Sequence, residues 1–434
     1  MHDGRARGKP QANAGPLEIW AWAMYDFANS GYTTVVITAI FNAYFVAVVA
    51  GGAPWATFAW TAALSLSYAL VIVTAPVIGA YADLRANKKR LLAVSTAGCT
   101  LATAALALAG PGEIAIAVAG VVLSNFFFCT GCDLVAAFLP ELARGRNLGK
   151  VSGWGWSLGY VGGLLTLGVC LAYVSRAQAA GATAAHFVPV TMLITAALFA
   201  AASLPTFALL RERALPQPLP PGKSLVAAAF LRLAQTLRHA AAYRDLRRFL
   251  WCIVFYQAGV QTVITLAAIY AQQAMGFNTR DTLELILVVN VTAALGAFFL
   301  GNVQDRIGHA PTIALTLAGW IVMILIAWVA DTRLLFWIAA NLAGLCLGAS
   351  QSAGRALVGC FSPRDRRAEF FGLWGLATNL SSILGPITYG AVSWVSQGNH
   401  RLAMLITGAF FVLGLLILHG IDARRGRRAA LKGA

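Results

Sequence analysis

A carboxylate in an apolar run needs a chemical reason. Asp26 falls in such a run, and placing an aspartate in hydrocarbon costs about 2.5–3.5 kcal/mol on insertion scales, so it must face protein or water. Tyr25, Asn29, Tyr32 and Thr33 share one face of a helix with it at 3.6 residues per turn. A face of this composition can hold a solute's amine, a proton or a cation. The alternative is a structural acid that caps or pairs with arginines near the helix end.

Other polar residues interrupt later apolar runs. Asn125 and Asp133 lie in the fourth, with Asp133 seven residues before Pro140 and so near the inner surface, where a structural role is favoured. Glu141, just beyond, belongs with a loop gate. The seventh run offers Tyr256, Gln257, Gln261 and Thr262, with the two glutamines on one face at i, i+4. The tenth offers Asn341, Gln351 and Arg355, the last of which also reads as an inner-surface anchor. Trp154, Trp156, Tyr160, Trp374 and Asn379 are candidates to wall a cavity, although aromatics in spans more often pack or form an interfacial belt.

This chemistry is binding chemistry. The six histidines are scattered, and no phosphate-binding loop or metalloprotease motif is present, so no cofactor, metal or nucleotide-driven step is expected. Cys129 and Cys132 resemble a redox or metal pair but sit in an apolar helix without a second pair, and read as small packing residues. An embedded lipid-modifying enzyme would need clustered His, Asp or Arg at the interface, and a non-transporting receptor is the other rival.

The elements that position these residues are membrane spans. Of 434 residues, 59% are hydrophobic and 11% charged, a composition outside that of soluble domains. Runs of about 20 apolar residues or more cover Leu17 to Val48, Ala56 to Tyr81, Leu91 to Ala109, Ile114 to Ala137, Val151 to Tyr173 and Phe187 to Leu210. Six more cover Phe249 to Ala274, Leu283 to Gly301, Thr312 to Ala330, Leu334 to Leu357, Phe370 to Val395 and Leu402 to Ile421. The predicted fold class is therefore an all-α integral membrane protein of twelve transmembrane helices in two six-helix bundles. Residues 1–16 form an N-terminal tail, 17–210 the first bundle, 211–248 a basic, proline-rich linker, 249–421 the second bundle and 422–434 a basic tail. In the linker, Leu225, Ala228, Phe230, Leu233 and Leu237 oppose Arg232, Gln235 and Arg238, the pattern of a helix lying on the membrane surface.

Charge orients the bundle. Of the 32 Lys and Arg, 28 fall in the tails, the linker and loops of one parity, and only Arg176, Arg280, Arg333 and Arg401 in the other. Both termini and the linker are thus expected in the cytoplasm. The same rule accounts for the net charge of +16 without any nucleic-acid partner.

The halves repeat a motif at an offset of 222: Gly79-Ala-Tyr-Ala-Asp83 ends the second span and Gly301-Asn-Val-Gln-Asp305-Arg306-Ile-Gly308 the eighth. Glycine permits close helix approach, and the aspartate can accept amides at a neighbouring helix N-terminus or pair with arginine. Asp83, Glu141, Asp305, Arg306 and Arg355 are therefore read as a cytoplasmic gate. Gly155, Gly159 and Gly163, with Gly162 beside them, form a close-packing surface, and Gly385-Pro386 reads as a bend.

The paired loop motif resembles that of the major facilitator superfamily. Trp22-Ala-Met-Tyr25-Asp26-Phe27-Ala-Asn29-Ser30-Gly31-Tyr32, Phe138-Leu-Pro140-Glu141, Val151-Ser-Gly153-Trp-Gly155-Trp-Ser-Leu-Gly159-Tyr and Glu369-Phe-Phe-Gly372-Leu-Trp resemble one branch, the autophagy-linked vacuolar amino-acid effluxers of fungi and their bacterial relatives. The resemblance implies a twelve-helix, alternating-access transporter, and a monomer in a bacterial inner membrane is expected. Its small-molecule substrate, an amino acid first and drugs, sugars or lipids as alternatives, would bind between the halves with protons or cations as coupling partners. Two departures stand out. Leu84 replaces the usual arginine of the first loop copy, and Ala258 stands where the branch tends to carry an acid.

Overall fold

The computed structural model describes residues 14–53, 55–143, 147–216, 231, 243–277, 279–364, 366–397 and 399–432. The amphipathic pattern expected in the linker, Leu225 to Arg238, and the first thirteen residues lie outside the described residues.

Twelve long helices run through the described chain. In the first half these are α1 (Pro16–Tyr32, continued to Val49), α2 (Ala56–Arg85), α3 (Lys88–Ala105), α4 (Ile114–Ala136), α5 (Leu148–Ala179) and α6 (Ala184–Leu209). In the second they are α7 (Arg244–Met275), α8 (Thr279–Ile307), α9 (His309–Val329), α10 (Arg333–Phe361), α11 (Arg367–Val395) and α12 (His400–His419). All but α7 meet the length and hydropathy of a membrane crossing over described residues, and α7, with 32 residues, completes the six-plus-six arrangement. A further helix, α13 (Ala423–Lys432), follows where a basic tail was expected.

Local chemistry sets the ends. Pro16 opens α1, where a missing N–H costs nothing. Thr332 and Asn399 cap α10 and α12 by accepting the amides of Leu335 and Leu402. Gly276 closes α7 in the left-handed region at φ 64°, which lacks strain only without a Cβ. Beyond Tyr32, α1 widens into i→i+5 turns over Thr33–Ala39 and Phe45–Val49, seen in the bond from the Ile40 amide to the Val35 carbonyl.

Side chains such as Val73, Leu101, Leu325 and Leu416 are exposed on the outer faces, as lipid requires; in water such a surface would aggregate. Because lipid tails are as apolar as leucine, the helices are held by close fit rather than by expulsion of water. Such close fit also joins the two halves at the end that carries the linker. There Gly79 packs on the carbonyl of Ala368, Gly372 on that of Ala75, and Gly153 with its Cα against Gly301. In this way α2 lies against α11, and α5 against α8 and α10.

Candidate functional site

Arg355 of α10 reaches across the boundary between the halves to Asp26 of α1, with Nη1 donating to Oδ2 at 2.7 Å. Its Nε donates to Ser152 Oγ at 3.2 Å and its Nη2 to the Ser152 carbonyl at 2.8 Å, both on α5. The guanidinium carbon lies 4.8 Å from the Trp22 ring centre and 5.3 Å from that of Trp156, so the cation is flanked by two aromatic faces. Gly155 makes this approach possible, because a Cβ there would fall on the Asp26 carboxylate and 2.7 Å from Arg355 Nη2.

Both charges are almost wholly removed from solvent, with side chains 3% and 12% exposed for Arg355 and Asp26. A buried pair adds little net stability, but removing one partner strands the other at a cost of about 3–5 kcal/mol. Asp26 is thus an ion-pair partner that staples the halves in this conformation, which joins the functional and structural readings of it.

Buried polar atoms with no hydrogen-bond partner among the described residues occur on α1, which carries Asp26, and on α5 and α7. Asn29, one helical turn from Asp26, is buried with an unpartnered Oδ1, and Trp156 Nε1 is likewise unpartnered. On α7, the Tyr256 hydroxyl points at Gly354, the neighbour of Arg355, without a hydrogen-bond partner. Gln257 donates to Gln351 Oε1 at 2.7 Å, and its own Oε1 is unpartnered. Gln351 stands one turn before Arg355 on α10. Donors and acceptors contributed by α1, α5, α7 and α10 thus accompany the pair.

Several expected residues lie elsewhere. Tyr25 and Tyr32 were placed on the face of Asp26, but they pack into the first half: Tyr25 bonds Thr96 of α3 and meets Phe199 and Phe207, while Tyr32 bonds Ser124 of α4. The reason is that a buried helix meets protein all round, so one wide polar arc can serve two contacts. Asn125 is tied to Ser67 at 2.5 Å within the same half. Asn341 and Asn379 return their amides to carbonyls one turn back on their own helices, at Trp337 and Gly375. Gln261 is half-buried. Cys129 and Cys132 are free thiols. Asp133 faces α11 at Gly375.

The linker end carries the gate candidates. Asp305 accepts the amides of Gly149 and Lys150 at 2.9 and 2.8 Å, at the N-terminus of α5 in the opposite half. Asp83 accepts the Glu369 amide at 2.9 Å, at the N-terminus of α11, again across the boundary. Each repeat aspartate therefore grips the other half, and Leu84, buried, does not disturb the first grip. Glu141, in the helical turn Leu139–Leu142, pairs with Lys88 of its own half and Arg367 of the other, and accepts the Arg213 amide at 2.9 Å. Arg306 does not join them. It follows Asp305 by about 100° around the helix and is exposed.

Ser152, Trp22, Gln304, Lys88 and Arg367 also take part, although residue type and spacing alone do not single them out. Gln304 donates to the Gly149 carbonyl and to Ser352 Oγ, binding α8 to α5 and α10. Trp22 and Ser152 stood inside the stretches that carried the resemblance, which was the available signal.

Comparison with known proteins agrees with this architecture. A family described as "Vacuole effluxer Atg22 like" matches residues 56–431. The chain is 26% identical over 92% of its length to an uncharacterized MFS-type transporter, YxiO, of Bacillus subtilis, covering 93% of that protein. It is 26% identical to autophagy-related protein 22 of Kluyveromyces lactis, over 46% of this chain and 42% of the yeast protein. The crystal structure of the human organic anion transporter MFSD10 superposes with a TM-score of 0.72 at 13% identity, covering 93% of this chain and 99% of that one.

Proposed function

The chain belongs to the vacuole effluxer Atg22-like family and is a multi-pass, major-facilitator-type transporter, and on that premise we propose that it moves a small polar solute, an amino acid first, by alternating access. The observation that carries the reading is the buried Asp26–Arg355 pair between the halves, accompanied by unpartnered Asn29, Trp156, Tyr256 and Gln257 atoms.

The pair opposes opening at the linker end, since separating it would strand two charges in a low-dielectric interior. A solute with one ammonium and one carboxylate group removes that obstacle. Its amine replaces Arg355 at Asp26, its carboxylate replaces Asp26 at the Arg355 fork, and the halves separate with both charges still satisfied. Asn29 Oδ1 and Gln257 Oε1 supply acceptors to the amine, and Trp156 Nε1 and the Tyr256 hydroxyl supply donors. The linker and both tails lie in the cytoplasm on this reading, following the charge split, and the single chain in a bilayer is the working unit.

Counterflow in proteoliposomes tests the proposal. Individual labelled amino acids should exchange saturably, and analogues lacking either the amine or the carboxylate should compete at least tenfold more weakly. Equal competition by both analogues would remove the two-charge substrate.

A further inference from the structure

Asp133 is, like Asp26, an acid buried in the spans, but no cation pairs with it among the described residues. It is 8% exposed, and its Oδ2 has no hydrogen-bond partner among the described residues. The carboxylate borders a small pocket with room for about one water-sized species, lined by Ala75, Ile78 and Gly79 of α2, Thr130 and Leu134 of α4, and Ala368 of α11. The lining comes from both halves. Its α11 wall lies where α2 and α11 touch, at Gly79 on Ala368 and Gly372 on Ala75. Gly375 of α11 closes the carboxylate's other side, because a Cβ there would overlap it.

The cations at this level are already engaged, Arg355 by Asp26 and Lys88 and Arg367 by Glu141. The remaining titratable neighbours carry no positive charge: Cys129 and Cys132 on α4, Tyr25 of α1 bonded to Thr96, Asp83 at the end of α2, and Glu369 at the start of α11. A solute does not fit in so small a space. A metal cation needs several oxygens, often several carboxylates, and Asp133 and Thr130 are the only polar side chains among the lining residues. A proton needs one oxygen.

The geometry points to Asp133 as a proton-binding site whose occupancy is linked to closure of the linker end. With α11 in place, the acid holds its proton, because an ionised form would be buried with neither cation nor donor at Oδ2. When α11 leaves, water enters, the O–H bond breaks, and the proton passes to a water molecule as hydronium while Asp133 becomes a solvated carboxylate. The sign follows. The closed state binds one more proton than the open state, so low pH favours closure and rising pH favours opening. Glycine at 375 is then a requirement of the site, since a methyl there would push α11 from the acid.

This inference rests on the alternating-access reading. It is tested with spin labels replacing Arg90 and Arg306, exposed at the linker ends of the two halves. In wild type, the short-distance population should give way to a longer one as pH is raised, equally in sodium or choline buffers. Asp133→Asn should stay closed at every pH, and Gly375→Ala should stay open. An infrared pH titration of wild type should show a protonated-carboxyl band that disappears in step with the distance change. A pH response unchanged in Asp133→Asn, or a response that follows sodium instead of pH, overturns the proposal. Solute flux with pH-insensitive distances would overturn this inference and leave the transport reading standing. No flux and one conformation throughout would overturn both.

Discussion

Asp26 and Arg355 are 329 residues apart in the chain and 2.7 Å apart across the boundary of the halves. Each was visible in the sequence as a charge that an apolar run had to accommodate, but their pairing was not, because span order says nothing of which faces meet. The pairing makes single and double substitutions informative. Arg355→Gln should weaken the closed state by about 3–5 kcal/mol, the cost of stranding a buried charge. Asp26→Asn/Arg355→Gln should weaken it less than either single change, read as label distances in a double-mutant cycle; additive effects would mean the pair is not coupled. Arg355→Lys should not rescue closure, since an ammonium cannot serve Asp26, Ser152 Oγ and the Ser152 carbonyl in one plane.

Among elements, the glycine surfaces and repeat aspartates were legible because backbone proximity leaves a compositional trace. The π-type turns of α1 and the helical nature of the tail left none. In the tail, Arg425 donates to both oxygens of Asp245, at the linker-end start of α7, and Gly426 seats on Phe361. Burial works against the charged form of Asp245, but the hydrogen bonds and charge of Arg425 and the Asp422 amide outweigh it and hold the carboxyl below its usual range. A depressed carboxylate stabilises the docked tail above its unfolded value of ~3.9 and loses that contribution as pH falls through the lower, folded value. The amide protection factors of Ala423–Lys432, corrected for intrinsic exchange, should therefore be unchanged from pH 7 to 5 and fall only in stronger acid, whereas Asp245→Asn should lower them at pH 7. Equal protection in the variant would show that Gly426 and Phe361 alone dock α13. In the gate, Gly301→Leu should prevent closure through its clash with Gly153, seen as loss of the short label distance.

At the scale of the molecule, the twelve-helix, two-bundle fold was readable because hydrophobic length, loop charge and an internal repeat all specify it independently. The site was only partly readable, since a polar residue inside a bundle can face the other half, its own half or its own backbone. Asp26, Asn125 and Asn379 take these different settings from similar apolar contexts. Orientation has its own test. Cysteine at Asp331 should react with an impermeant thiol reagent added outside intact cells, and cysteines at Arg90 or Arg424 should not; the reverse would invert the molecule.

The claim on which the rest depends is that solute passes between the halves at Asp26. Gradient-driven uptake of labelled amino acids into proteoliposomes, compared between wild type and a folded, monodisperse Asp26→Asn variant, measures it directly. Saturable, concentrative uptake in wild type that is abolished in the variant is the predicted result; wild-type uptake by Asp26→Asn would contradict the account.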